Sequence, residues 1–264
     1  MLSSHQASRG VFPQVDRVAD LVGNTPLVQL QRSGDGRVWV KLEGLSAGGS
    51  FFDRVAQPIF RRYAQGEGEI VVRGATNFAY SMVALSRRRG TRVRVVVHRG
   101  ESQRLVKLLD RVGANLERVP DAAAAEQRIG DLIAEGWVEA RLDDRPAQIQ
   151  AWTLLLRELA AMPVPMQRLV TFDSGIAADE LMRLMSSELG HNAELTVLPW
   201  DGEQERTLSG EICSRRTQTG HREGFLVGPL GAEIIDRAVS EALTDHRLTV
   251  AVLPDSGHRY LGWW

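Results

Sequence analysis

Few residues of this chain could carry out amine chemistry, because lysine is almost absent. Among 264 residues with 32 basic side chains, only Lys41 and Lys107 carry a side-chain amine. Such an amine is the group that condenses with an aldehyde cofactor and then moves protons. Lys41 lies in a predicted strand and Lys107 on a predicted helix, and both positions are typical of structural or solvent-exposed lysines.

Cysteine and histidine give no stronger signal. Cys213 is the only cysteine, so it has no partner for an internal disulfide, and we expect a reducing, cytoplasmic environment. The six histidines show neither an i, i+4 pair nor a Cys/His metal spacing, so no metal site is predicted. Cys213 and His221 share a polar segment, but a single such pair in a loop is more often coincidental than catalytic.

The elements that must position any site follow an alternating pattern. Short apolar runs, such as residues 93–97, predict buried parallel strands. Helical patterns lie between these runs, which favours an α/β fold. This organisation predicts a small βαβ domain at residues 47–143 and a large domain formed by residues 1–46 plus 144–264. The polar segment 201–222 is predicted to be a loop.

Several motifs, in one order along residues 21–261, carry a resemblance to a known family. They include a Gly-Asn-Thr-Pro turn at residues 23–26, a helix start at residues 48–54 and a Pro-Asp-Ser-Gly turn at residues 254–257. Further similar segments are residues 38–44, 113–116 and 223–232. Together they resemble the cysteine synthase and cystathionine β-synthase group of pyridoxal-phosphate enzymes, called fold type II. The resemblance implies two domains, each a mostly parallel sheet flanked by helices.

The chain departs from this family at the position that defines its chemistry. The family has a Gly-Ser-x-Lys-Asp-Arg helix start, whose lysine forms a Schiff base with the cofactor, and here Phe52 stands at that position. Phenylalanine has neither an amine nor a hydrogen-bonding atom. Ser50 and Asp53 flank it and are candidate polar groups of the cleft.

Further departures fall on loops that the resemblance assigns to the substrate carboxylate and to the cofactor phosphate. The carboxylate loop keeps Thr76 and Asn77 but has Phe78 where the family has a hydroxyl. Asn77 either faces the cofactor ring or merely caps the helix that follows. The phosphate loop corresponds to Ser174 and Gly175, and it keeps a single glycine for close approach of the backbone to an anion.

Two positions near the C-terminus complete the comparison. Leu230 replaces a family serine, whereas Ser256 matches the serine that contacts the pyridine nitrogen. Leu230, Phe52 and Phe78 all place apolar groups where the family has polar ones. We therefore expect a cleft filled with hydrophobic side chains and no bound pyridoxal phosphate.

These departures predict a catalytically degenerate cysteine synthase-like protein, a pseudoenzyme that regulates or scaffolds a sulfur amino-acid or specialised biosynthetic pathway. One alternative is a cofactor-independent enzyme that reuses the interdomain cleft. Another is a pyridoxal-phosphate-binding lyase or transferase of the cysteine synthase type. As the resemblance implies, we expect a homodimer, or a heterodimer with an active paralogue or a pathway enzyme.

Charge and hydropathy exclude other partners. The formal net charge of −1 gives no broad attraction to nucleic acid or to an anionic membrane. We find no run of about 18 apolar residues that would predict a membrane span. The N-terminus has neither the basic start nor the apolar core of a signal peptide.

Overall fold

The computed structural model describes residues 18–63, 68–86, 91–200 and 210–261. Its strands are β1 (Leu27–Gln29), β2 (Val38–Leu42), β3 (Glu69–Arg73), β4 (Arg92–His98), β5 (Asn115–Val119), β6 (Val138–Ala140), β7 (Arg168–Phe172), β8 (Glu194–Leu198) and β9 (Thr249–Leu253). Its α-helices are α1 (Phe52–Tyr63), α2 (Asn77–Ser86), α3 (Gln103–Arg111), α4 (Ala122–Ala134), α5 (Arg145–Ala160), α6 (Ala178–Leu189), α7 (Gly210–Glu223) and α8 (Pro229–Asp245).

The strands form two sheets that are almost entirely parallel. The larger sheet has the order β1-β2-β9-β7-β8, and only the short edge strand β1 runs antiparallel to its neighbour. The smaller sheet has the order β5-β4-β3-β6 and is parallel throughout. The predicted α/β fold, with mostly parallel sheets flanked by helices, is therefore confirmed.

Burial explains why the central strands have the sequences they have. Every residue of β7 and of β9 is buried. Strands covered by helices on both faces read as continuous apolar runs, because no face alternates with water. In the smaller sheet, Val95 and Ile70 are fully buried between α2 on one side and α4 on the other. These central strands are where the apolar pattern of the sequence is most informative.

The proposed division into two domains stays a prediction. The smaller sheet lies between Glu69 and Ala140, inside the predicted segment 47–143. Helix α1 falls at the junction, since it packs against both α2 and α5. The exact limits at residues 47 and 143 are not tested by this arrangement.

The prediction of a loop at residues 201–222 is wrong where the structure describes it. Residues 210–222 belong to α7, and residues 201–209 lie outside the described part of the chain. The helix was missed because its sequence is polar, with Arg216 fully buried in place of an aliphatic residue. The Arg216 Nε donates to the Val227 carbonyl at 3.1 Å and so fixes α7 to the chain before α8.

No helix within the described ranges is both long and apolar enough to cross a membrane.

Candidate functional site

Three loops after parallel strands meet between the two sheets. They follow β3 at residues 74–76, β7 at residues 173–177 and β9 at residues 254–256. Ligands of parallel α/β proteins commonly bind at the carboxyl ends of the strands, where such loops converge. Apart from Ser50, which lies before α1 and forms a β-bridge with Asp255, the sequence-predicted site residues lie on these loops or on helices that begin beside them.

Phe52 is the first residue of α1 and packs within a cluster of aromatic side chains. Its side chain is fully buried, and its ring stacks on Trp200 with centroids 4.7 Å apart and planes at 24°. Phe51 and Phe172 meet the same ring edge to face at 6.0 Å. The structure thus shows Phe52 buried, as expected from its apolar character. Its equivalence to the family's lysine stays a prediction.

Neither lysine supplies an amine beside Phe52. Lys41 is buried in β2, where its Nζ donates to the Thr25 carbonyl at 2.5 Å and pairs with the Glu158 carboxylate at 2.6 Å. Lys107 is exposed on α3. The sequence interpretation of both as structural or surface lysines agrees with these positions.

A buried ion network holds the start of α1 in place. The Arg54 guanidinium pairs with Glu43 at 2.7 Å and with Glu158 at 2.7 Å, and Lys41 joins it through Glu158. Burial alone would raise the pKa of Glu158, but the hydrogen bonds and charge of Arg54, together with Lys41, lower that pKa to about 2. The network ties α1 to β2 and α5, and it therefore fixes the backbone that carries Phe52.

The loop before α2 places Asn77 in the cleft. The Thr76 hydroxyl accepts from the Ala79 N–H at 3.0 Å, so Thr76 caps the helix, and the interpretation of Asn77 as the cap is wrong. The buried Asn77 side chain instead donates to the Asp255 carboxylate at 3.0 Å and accepts from Arg259. Thr76 itself is exposed at the mouth of the cleft.

Two buried carboxyl groups lie in this region. Burial raises the pKa of Asp53, although hydrogen bonds from the Ser81 hydroxyl at 2.5 Å and from the Gly48 N–H at 2.6 Å favour the charged form. Burial likewise raises the pKa of Asp255, against the hydrogen bond that Tyr260 donates to it. A buried carboxyl with a raised pKa in a cleft is a candidate for proton transfer.

The loop after β7 makes its hydrogen bonds within the protein. The buried Ser174 hydroxyl accepts from the Trp152 indole at 2.9 Å, and the Ser174 carbonyl accepts from the Gln148 amide at 2.5 Å. The Gly175 N–H donates to the Asp173 carboxylate at 3.0 Å. Here a carboxylate already takes the backbone donor that a phosphate would need.

Most of the remaining predicted residues either pack in the core or cap a turn. Leu230 is buried in the first turn of α8, and Phe78 is buried in the first turn of α2. The Ser256 hydroxyl accepts from the His258 N–H at 3.3 Å and caps a short 3₁₀ turn. Ser50 is also fully buried, and its hydroxyl has no hydrogen-bond partner among the residues that the structure describes.

Two cavities open on either side of the loop at residues 74–77. One, of about 270 Å³, is lined by this loop together with Glu101, Leu105 and Trp200. The other, of about 460 Å³, lies between Phe78 and Gly175. Phe52 and Phe78 are thus buried as expected, but the cleft beside them is not completely filled.

Sequence reasoning missed four residues of this site, which are Glu101, Trp200, Asp255 and Arg259. Asp255 lies in the Pro-Asp-Ser-Gly turn at residues 254–257, but its contact with Asn77 joins residues that are 178 positions apart. Glu101 follows β4, the neighbour of β3, so the topology places it at the same edge of the sheet. That strand order was the signal that could have identified it.

Comparison with known proteins identifies relatives along the whole chain. The family described as "Pyridoxal-phosphate dependent enzyme" matches residues 18–175. The chain is 26% identical over 300 residues to O-ureido-L-serine synthase of Streptomyces lavendulae, covering 95% of the chain and 92% of the relative. It is 25% identical over 244 residues to cysteine synthase of Staphylococcus aureus (strain Mu50), covering 85% of the chain and 77% of the relative.

A solved structure shares the fold. The crystal structure of a lysine-to-alanine variant of O-ureido-L-serine synthase, with O-ureido-L-serine bound, matches with a TM-score of 0.77 at 20% identity. The match covers 95% of the chain and 93% of that structure. At this identity the similarity shows the fold alone.

The family match corrects one expectation from the sequence. The prediction that the chain has no pyridoxal phosphate is wrong, because the family that matches residues 18–175 is described as "Pyridoxal-phosphate dependent enzyme". The residues present fit that group poorly at two points, since Phe52 offers no amine and Asp173 occupies the donor of Gly175.

Proposed function

Because the chain belongs to the family of pyridoxal-phosphate dependent enzymes, we propose that it is an enzyme of the cysteine synthase type. It acts as a lyase or transferase on a small amino acid in the interdomain cleft. Because Phe52 stands at the start of α1, Lys41 is bound to Thr25 and Lys107 is exposed on α3, the cofactor is held without a covalent bond to a lysine.

One observation carries this proposal. The loop at residues 74–77 and Trp200 enclose a cavity of about 270 Å³, and the backbone of that loop already binds a carboxylate, that of Glu101. Loops with oriented backbone N–H groups are suited to the carboxylate of an amino acid. The proposal is also supported by the relatives, which are named as synthases of O-ureido-L-serine and of cysteine.

A titration of the purified chain with pyridoxal phosphate tests cofactor binding. We expect saturable and reversible binding in equilibrium dialysis, without the absorbance at about 400–430 nm that a Schiff base with a lysine would give. Borohydride treatment followed by peptide mapping should leave both lysines unmodified, and a pyridoxyl group on Lys41 or Lys107 would contradict the non-covalent mode. If the free chain shows no saturable binding, the proposed function fails.

Two variants locate the site. Asn77→Ala should weaken cofactor binding, because Asn77 links the loop to Asp255 inside the cleft. Asn115→Ala, on the exposed edge strand β5, is the matched control and should bind as the unaltered chain does. An O-substituted L-serine incubated with sulfide and cofactor then tests turnover, with cysteine as the measured product.

A regulatory partner that keeps the fold is the second candidate, and Phe52 is the observation that favours it. In that case, cofactor binds but no amino acid is converted, and a pathway enzyme gains activity when the chain is added. In either case we propose that the chain assembles as a dimer, with itself or with an active paralogue.

A further inference from the structure

The backbone N–H groups of Ala75 and His98 form a binding site for a carboxylate, which we call the seat. The Glu101 side chain of the same chain occupies it. Gly74 has φ of +74°, a conformation that residues with a side chain rarely adopt, and the next N–H, of Ala75, points at the Glu101 carboxylate. The Glu101 Oε2 accepts from that Ala75 N–H, while its Oε1 accepts from the His98 N–H at 3.1 Å. The seat therefore has two backbone donors.

The space above Gly74 is filled by the same carboxylate. A β-carbon at Gly74 would lie 3.4 Å from the Glu101 Oε2, an ordinary van der Waals distance, so the carboxylate packs directly against this glycine. The Glu101 side chain is only 10% exposed, which shows that it lies in the loop rather than in solvent. The N-terminus of α2, two residues further on, adds a favourable potential for an anion.

Glu101 is also a wall of the cavity of about 270 Å³ beside this loop. Thr76 and Trp200 line the same cavity, so a ligand there meets a hydroxyl, an aromatic ring and the occupied seat. A carboxylate that enters the cavity faces the negative charge of Glu101 and finds the Ala75 donor already used. The cavity in this state therefore disfavours small acids.

We propose that Glu101 is an internal carboxylate that occupies the place of a ligand's carboxylate, so that an amino acid binds in this cavity only by displacing it. The identity of the ligand as an amino acid rests on the proposed function, whereas the competition between carboxylates does not. Glu101 thereby sets the affinity of the cleft for acids and acts as an autoinhibitory contact.

Replacement of Glu101 by alanine should empty the seat. We expect Glu101→Ala to melt a few degrees lower, because two backbone N–H groups lose their acceptor in a partly buried loop. Sodium acetate should then raise the melting temperature of Glu101→Ala saturably, since a ligand that binds only the folded state stabilises it. The affinity for acetate should exceed that of the unaltered chain by about tenfold or more, in keeping with a charge-assisted contact.

The controls separate this effect from salt and from general loss of charge. Sodium chloride and neutral acetamide at equal concentrations should not reproduce the effect of acetate. Glu135→Ala removes a more exposed carboxylate from the same domain, so it should respond to acetate as the unaltered chain does. If Glu101→Ala fails to fold, Glu101→Ser is measured by calorimetry, because it keeps a polar side chain that is too short to occupy the place of the carboxylate.

The outcomes are distinct. Equal acetate affinity in the unaltered chain and in the Glu101 variant, or no acetate binding by the variant, overturns the competition. Selective acetate binding by the variant supports it, whatever the cofactor titration shows. A parallel titration with L-alanine reports on the ligand class, so that failure of the proposed function leaves a different signature: acetate binds to the variant, but neither pyridoxal phosphate nor L-alanine does.

Discussion

At the scale of single residues, Phe52 is a packing residue of the cleft. Its ring lies in contact with Phe51, Phe172 and Trp200, which come from the residue before α1, from β7 and from the chain after β8. An aromatic residue here contributes buried area and edge-to-face contacts rather than a reactive group. The stability of the cleft therefore depends on this side chain.

Removal of the Phe52 ring should be strongly destabilising. We expect Phe52→Ala to lower the free energy of unfolding by about 3–5 kcal/mol, through lost burial and the cavity left behind. Urea unfolding followed by tryptophan fluorescence measures this, with Met182→Ala on α6 as a control at a 50% exposed position. The control should change stability by about 0.5 kcal/mol or less. Similar small losses for both variants would mean that Phe52 does not pack as described.

Some residue roles were predictable from the sequence and others were not. The burial of Phe52 and Phe78 follows from their apolar character within the helix-start motifs. The partners of Asn77 do not, because hydrogen bonds to Asp255 and Arg259 depend on two loops that only the folded topology brings together. Glu101 was missed for the same reason, since its acceptor role is to a backbone N–H in another loop.

At the scale of elements, the turn after β9 joins the two sheets. Arg104 of α3 donates to the Arg259 carbonyl and lies 4.4 Å over the Tyr260 ring. Arg259 in turn lies 4.7 Å from the ring of Tyr80 on α2. The helices of the smaller sheet are thus fastened to the last turn of the described chain.

Loss of Arg104 should loosen that turn. A hydrogen bond from a charged group and a cation–π contact together are worth roughly 1–3 kcal/mol, so Arg104→Ala should lower stability by about that amount. Hydrogen exchange should rise at residues 255–260, as measured by mass spectrometry. Arg111→Ala, which alters an exposed arginine of the same helix, should leave exchange there unchanged. Unchanged exchange in Arg104→Ala would show that the turn is held by other contacts.

The elements themselves were predicted unequally from the sequence. Strands β7 and β9 are buried throughout and mostly apolar because both faces are covered, and their pattern identifies them directly. Helix α7 has no such apolar pattern, because the side chain that it buries most fully is Arg216. Its polar sequence therefore resembles that of a loop. Tertiary contacts, rather than local pattern, decide the structure of that segment.

At the scale of the whole molecule, the ion network at the start of α1 connects that helix to β2, to α5 and to the chain before β1. Glu158 of α5 receives Arg54, Lys41 and the Asn24 N–H, the last at 3.0 Å. The pKa of Glu158 is lowered from its usual 4.5 to about 2, despite burial, by Arg54 first and then by Lys41. Folding therefore favours the charged carboxylate.

This shift has a defined effect on stability. Because the folded pKa lies below the unfolded one, the contribution is full above pH 4.5 and is lost as the pH falls towards 2. We expect the unaltered chain to be more stable than Glu158→Gln at pH 6, and the gap to narrow as the pH falls below 4.5. Urea midpoints at several pH values measure this. A gap that is independent of pH would contradict the role of the charge.

At this scale the proposal also includes a dimer, formed by two copies of the chain or with an active paralogue. We expect the dimer interface to include the apolar residues at 11–13 and 18–22, of which residues 11–13 lie outside the described part of the chain. Leu21 and Val28 are 45% and 37% exposed. Leu154, which is 40% exposed, lies one helical turn before Glu158, and Glu158 binds the chain between Leu21 and Val28. These three side chains therefore belong to one side of the molecule.

An exposed apolar surface of this kind is suited to a dimer, which buries more than roughly 1,000 Å² in total when stable. One chain has a mass of 29.2 kDa, and we expect light scattering at micromolar concentration to give twice that mass. Leu154→Arg should give the single-chain mass, because a charge at the centre of an apolar contact is left without a partner. Met182→Arg, at a 50% exposed position of α6, is the control and should stay dimeric. If the unaltered chain is monomeric alone, a dimer should form on addition of an active paralogue, and a chain that stays monomeric in both conditions contradicts the proposed assembly.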